Sequence, residues 1–259
     1  MDSLPPSHLH LLPSPGSELP PLTVRQLSVR YRAVEALTDV TVVVQPGRLT
    51  GLIGPNGAGK STLIQAMLGL VPVTAGTVQW GDHEMSEQRH RVAYVPQRTQ
   101  IDWRYPATVW DVVMMGRVTQ TGWFRRFSTV SRRLAHQALD RVGMADLRDR
   151  PIGQLSGGQQ QRVFLARSLA QEADIFCFDE PFTGVDQKTE AILFQIFREL
   201  AEAGKIVLVV NHDLGESIQQ FDDLVLLNRQ VIAAGPRQRV LRPEHLHQAY
   251  GGQVNFYAA

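Results

Sequence analysis

Nine residues, GPNGAGKST from Gly54 to Thr62, place three glycines, a lysine and two hydroxyls where a backbone could wrap an anion. Glycines let successive backbone N–H groups converge on phosphate oxygens, and a helix opening behind them adds partial positive charge. Within this run of Gly54, Pro55, Asn56, Gly57, Ala58, Gly59, Lys60, Ser61 and Thr62, Lys60 would neutralise β- and γ-phosphate charge, and Ser61 would offer its hydroxyl to Mg²⁺. With glycine at about 7% of residues, a chance match in a chain this long is about a one per cent event. The expectation is a nucleoside triphosphate site.

A second group lies far along the chain. IFCFDE ends in Asp179 and Glu180, two carboxylates just beyond an apolar run, where open α/β sheets place ligands. Asp179 would hold Mg²⁺ through water, and Glu180 would polarise an attacking water, because phosphoryl transfer to water needs a positioned base and little covalent chemistry. Taken alone, the pair also reads as a polar strand end feeding the turn EPFTG. His212 follows IVLVVN and could contact a γ-phosphate; Gln97 follows RVAYVP and could ligate or sense Mg²⁺. Each of these two residues alone also reads as an ordinary turn residue.

A third stretch, QLSGGQQQRVFLAR from Gln154, opens a helical pattern. Ser156 and Gln159 have capping-box spacing, which accounts for a well-made helix start. Gly157 and Gly158 are poor first-turn formers that expose backbone N–H groups to an anion. This loop carries no lysine, so it reads as half of a phosphate site.

These groups need a scaffold. From Thr23 to Val44 the chain alternates and then runs apolar, as antiparallel strands do. RLTGLIG predicts a short buried strand, and STLIQAMLGL predicts a helix with apolar residues at 63, 64, 67 and 68 and Gly69 as its stop. Ile175–Phe178 and Ile206–Val210 are apolar throughout, as strands covered on both faces are. Each follows a helical stretch, which predicts an α/β core with a parallel sheet, an N-terminal antiparallel β subdomain and, from about 98 to 170, an inserted helical subdomain. In that insertion STVSRRLAHQALDRVGMADL is expected to be helical; LVLLNRQVIAAG predicts a hairpin, followed by a short helix near Glu244–Tyr250. The chain divides into a leader at 1–22, a main domain at 23–241 and a tail at 242–259.

Composition removes several classes. Among 259 residues, Lys and Arg total 26 against 25 Asp and Glu, so no charge excess advertises a nucleic-acid surface. No stretch approaches the roughly 18 apolar residues of a membrane span. The first 22 residues hold six prolines and no lysine or arginine, unlike a secretory signal, and read as an extended or disordered leader. The single Cys177, in the apolar run IFCF, reads as a buried small hydrophobe. His8 and His10 in the leader, and His245 and His247 on the final helix, are weak metal candidates: alternate positions on a helix point apart.

Taken in order, GPNGAGKST, Gln97, LSGGQ, IFCFDEP followed by GVD, and His212 resemble the ATP-binding subunits of ABC transporters, over about Leu22 to Ala234. The resemblance implies ATP and Mg²⁺ as ligands, an adenine stacked on Tyr31, and two copies packed head to tail. LSGGQ of one copy would then close over nucleotide held by the other copy's phosphate loop, with Asp186 of GVD at the seam. It also implies integral-membrane permease partners and a peripheral location on the cytoplasmic face of the membrane.

YVPQRTQIDWRYPATVWDVVMMGR, GWFRRF and NHDL are similar to the ATPases of bacterial manganese, zinc and iron importers, most like the manganese/iron branch, with Asn211 where a histidine commonly precedes the one at 212. Such importers imply, indirectly, an extracytoplasmic metal-binding protein. Trp103, Tyr105, Trp110, Trp123 and Phe124, amid Arg104, Arg125 and Arg126, have the composition of an interface hot spot, and the resemblance places a permease helix there; core packing of the insertion is the competing reading. A soluble ABC ATPase acting on ribosomes or DNA would carry two cassettes or a long coiled-coil insertion, and a phosphate-loop kinase would leave LSGGQ without a role.

Overall fold

The computed structural model describes residues 19–122 and 125–251. Its first elements are a hairpin of β1 (Leu22–Tyr31) and β2 (Val34–Val44), then β3 (Leu49–Ile53), α1 (Lys60–Met67), β4 (Ala75–Trp80), β5 (His83–Glu84) and β6 (Val92–Val95). Four helices follow: α2 (Val109–Met115), α3 (Val118–Thr121), α4 (Thr129–Arg141) and α5 (Gly157–Ala170). The chain then alternates through β7 (Ile175–Asp179), α6 (Gln187–Glu202) and β8 (Ile206–Val210), and ends in β9 (Asp223–Asn228), β10 (Gln230–Pro236), α7 (Arg237–Val240) and α8 (Pro243–Tyr250).

Two sheets result. An antiparallel one runs β2-β1-β4-β5, and a six-stranded one runs β10-β9-β3-β8-β7-β6, parallel except at the β10 edge. Period-two alternation in the central strands divides their side chains between two cores. Phe176, Phe178, Val207, Val209, Leu224 and Leu226 pack with α2, α4, α5 and α6. Ile175, Cys177, Leu208, Val210, Val225 and Leu227 pack instead with Leu63, Ile64 and Met67 of α1 and with the antiparallel sheet. Apolar cores on both faces explain why β8, and β7 up to its last residue Asp179, are uninterrupted hydrophobic runs. Burial pushes the Cys177 thiol up to about 12.

The parallel order brings the C-terminal ends of β3, β6, β7 and β8 to one edge of the sheet. Leu52 is in register with Val210, and Asp179 with Val210 on the other side, so the chain leaves three strands at one level.

Two expectations need adjustment. The helix expected through residue 147 stops at Arg141, because Gly143 takes a left-handed φ of 65° and only a 3-10 turn, Ala145–Leu147, follows. β4 and β5 were not foreseen; β4 is largely exposed and is defined by pairing with the distant β1, from Leu22↔Trp80 to Arg25↔Thr77. The expected hairpin forms as β9 and β10, and the expected final helix as α8, with proline in its first turn and Gly251 at its C-cap. Leader residues 1–18, including His8 and His10, and Trp123 and Phe124 lie outside the described residues.

Candidate functional site

Ile53 closes β3, and the loop that follows is built on positive-φ glycines: Gly54 at 151°, Gly57 at 79° and Gly59 at 93°. A Cβ on Gly54 would sit 2.0 Å from the Leu227 carbonyl oxygen, so only glycine lets the loop press against β9. Gly59 is the N-cap of α1 and supplies no side-chain cap, so the leading N–H groups of that helix remain open. Asn56, Gly57, Ala58, Gly59, Lys60, Ser61 and Thr62 line a cleft of about 280 Å³ whose other walls are Val34, Glu35, Ala36, Glu180 and Arg229.

Lys60 is buried, at 6% exposure, and its ammonium donates to the carbonyls of Gly54 at 2.8 Å and Pro55 at 3.0 Å. Two of three donor protons are thereby used. Burial holds the Lys60 pKa below its ordinary value, while Glu180 and Asp179 pull it back up.

The two carboxylates at the end of β7 differ sharply. Asp179 is 1% exposed, its Oδ1 accepts from the Ser61 hydroxyl at 3.1 Å, and its Oδ2 is buried with no hydrogen-bond partner. Burial raises its pKa, the Ser61 hydrogen bond opposes that rise, Glu180 adds to it and Lys60 offsets it. Glu180, with a left-handed φ of 51°, lies on the cleft wall; its Oε2 accepts from Gln97 Nε2 at 2.7 Å. A non-glycine residue in that conformation aims the side chain differently from a continuing strand.

Ser61, Lys60, Asp179, Glu180 and Gln97 thus converge although the sequence separates them by up to 120 residues. His212 is exposed beyond β8, next to the buried Asn211, whose N–H donates to the Leu52 carbonyl at 3.0 Å and whose Oδ1 accepts from the Asp213 N–H at 3.1 Å. Tyr31 ends β1, 42% exposed, outside the cleft wall that its partner strand forms.

Ser156, Gly157, Gly158 and Gln159 do not line this cleft. Ser156 and Gln159 form the reciprocal capping box at 3.3 and 2.9 Å. The two glycines acquire a packing reason that the sequence did not reveal: a Cβ on Gly158 would meet Thr189 Oγ1 of α6 at 2.9 Å, and one on Gly157 would meet the Arg98 guanidinium at 3.2 Å. Asp186 is exposed and caps α6, accepting from the Thr189 N–H at 2.7 Å, a bond that holds its carboxyl below the usual range.

Sequence reasoning missed Arg98 and Arg229. Arg98 donates to Gln160 Oε1 at 3.0 Å and stands 5.6 Å from the Trp103 ring, tying the segment after Gln97 to α5. Of the aromatic candidates, Trp103 packs edge-on against Phe164 and bonds the Arg98 carbonyl, and Trp110 packs against the core, whereas Tyr105 is 61% exposed. A separate cleft of about 310 Å³ runs between α1 and the helical layer, lined by Leu70, Arg89, Tyr94, Met115, Thr119 and Arg167 among others. No helix among the described residues is long and apolar enough to cross a membrane.

Comparison with known proteins identifies the family. The family described as ABC transporter matches residues 37–183. The manganese transport system ATP-binding protein MntB of Bacillus subtilis is 47% identical, over 91% of this chain and 94% of that protein. The zinc transport system ATP-binding protein TroB of Treponema pallidum is 46% identical, over 90% and 87%. A bacterial ABC transporter cassette with a dimeric structure superposes with a TM-score of 0.72 at 25% identity, covering 83% of this chain and 98% of that one.

Proposed function

The chain belongs to the ABC transporter family as an ATP-binding, ATP-hydrolysing subunit, and from that premise we propose that it powers import of a divalent transition metal, manganese first and then zinc or iron, through a separate permease. The substrate class is supported by the manganese and zinc systems named for its relatives at 46–47% identity. One observation carries the chemistry: two hydrogen-bonded pairs, Ser61–Asp179 and Gln97–Glu180, stand beside the phosphate loop at the strand-end edge of the sheet.

The residues present fit Mg²⁺. The unpartnered Oδ2 of Asp179, buried beside a hydroxyl, is an anionic acceptor that protein groups leave unsatisfied. Ser61, Asp179 and Gln97 would hold the ion, which would offset charge on the β- and γ-phosphate oxygens. The third proton of Lys60 and the open N–H groups of α1 take phosphate oxygens. Glu180, with Oε2 fixed by Gln97, takes up through Oε1 the proton of the water that attacks the γ-phosphorus as the bond to the bridging oxygen breaks. His212 would hold that γ-phosphate, and Tyr31 would stack on the base.

The LSGGQ turn would need a second copy to reach nucleotide, and a bacterial cassette of this fold has a dimeric structure. Ser156, Gly157, Gly158 and Gln159 lie off the cleft of their own chain, so they are free to cap nucleotide held by the partner subunit, with Asp186 at the seam. A domain spanning 23–241 carries this machinery. The cleft that Met115 and Leu70 share with Arg89 and Arg167 offers apolar and cationic contacts to a cytoplasmic helix of the permease, and the proposed location is accordingly peripheral, on the inner face of the membrane.

Glu180→Gln tests the assignment: ATP binding persists, turnover falls at least about a hundredfold, and the protein elutes as an ATP-dependent dimer. Normal turnover removes Glu180 from the role. Manganese, zinc and iron uptake measured separately in cells lacking the chain decides the cargo, and unchanged uptake of all three overturns the transport reading.

A further inference from the structure

We infer that Arg229 is a nucleotide-binding residue, a second phosphate cation supplied by the β9–β10 turn, outside every motif that marks the cleft. The inference rests on the nucleotide reading above and assigns a further residue to the same site.

Arg229 sits at the tip of the β9–β10 hairpin with φ 59°, a conformation uncommon outside glycine and asparagine. Its backbone is bonded in two directions: its N–H donates to the Ala58 carbonyl at 2.8 Å, and its own carbonyl accepts from the Thr38 N–H at 2.9 Å. The turn therefore clamps the middle of the phosphate loop to β2. Those bonds use backbone atoms alone, and glycine would make both with less strain. The arginine side chain has no part in holding the turn together; the residue is exposed and lines the cleft, and among the described residues its side chain makes no ion pair or hydrogen bond.

Charge accounting gives that side chain a purpose. Four charged residues line the cleft: Lys60, Glu180, Glu35 and Arg229. Glu35 is ion-paired with Arg30, and Lys60 is set against the neighbouring Glu180. Lys60 and Arg229 balance Glu35 and Glu180, so Arg229 is the charge that brings the lining to neutrality; without it the cleft would be net negative, against an anionic ligand. A guanidinium presents a planar fork of donors suited to phosphate oxygens, and at a rim it also draws an anion in from solution.

Equilibrium binding of ATP with Mg²⁺ to the purified full chain tests this, comparing wild type with Arg229→Gly, Arg229→Lys and Lys60→Ala at low and high salt. Glycine preserves the backbone clamp, so Arg229→Gly should keep or raise the thermal midpoint while weakening ATP affinity about five-fold at low salt, a difference that shrinks at high salt. Arg229→Lys should retain most of the affinity. If Arg229→Gly binds ATP as tightly as wild type while Lys60→Ala loses binding, the inference is wrong and the site reading stands. If wild type binds no ATP, both fall.

Discussion

Asp179 shows how a single carboxylate can be placed against the interest of stability. It is almost wholly buried, one oxygen is satisfied by Ser61, the other is not, and burial raises its pKa. An unpaired buried charge destabilises a fold, so the position makes sense only where something outside the chain completes it. Asp179→Asn should therefore stabilise the chain by about 1 kcal/mol in the absence of Mg²⁺ and nucleotide, read as a higher denaturant midpoint, and weaken Mg²⁺-dependent ATP binding at least about tenfold. Equal or lower stability in the variant would show that its environment compensates the charge. Sequence legibility at this scale was uneven. The phosphate loop and the paired acids announce themselves because their chemistry needs particular residue types at fixed spacing. Arg229 does not, since its role depends on a turn that only tertiary pairing brings to Ala58.

At the scale of elements, the contact between α5 and α6 decides what the signature glycines are for. Gly158 has Thr189 against it, buried in the first turn of α6, whereas Gly157 faces the flexible end of Arg98 and, less tightly, the Gly184 carbonyl. Gly158→Ala should cost about 1–2 kcal/mol despite the better helix propensity of alanine, because the two helix starts must separate. Gly157→Ala should cost less, within about 1 kcal/mol of wild type by the same denaturant measurement, since the guanidinium can swing aside and the Gly184 carbonyl at 3.3 Å need give only slightly. Equal effects would mean that packing does not distinguish the two. The apolar runs of β7 and β8 and the period of α1 were readable because burial writes itself into composition, on both faces for a central strand and on one face for a helix. β4 was not readable: its residues are mostly exposed, and pairing with β1 some fifty positions earlier is what makes it a strand.

For the whole molecule, the placement of Ser156 to Gln159 away from the cleft means that one chain holds two unlike halves of a site. ATP turnover per chain should fall toward zero on dilution, with second-order dependence on protein at low concentration; a rate per chain independent of dilution would refute the shared site. The chain's connectivity also sets a timetable. β3, which carries the phosphate loop, is made early, yet it pairs on one side with β8 and on the other with β9, and its loop is clamped by Arg229. During synthesis the loop-bearing strand must wait, apolar and unpaired along both edges, while most of the remaining chain emerges. A nascent chain that has already translated all five motifs still lacks the brace that shapes its grip, so competence arrives late and nearly all at once, and the interval before it is when a chaperone has something to protect.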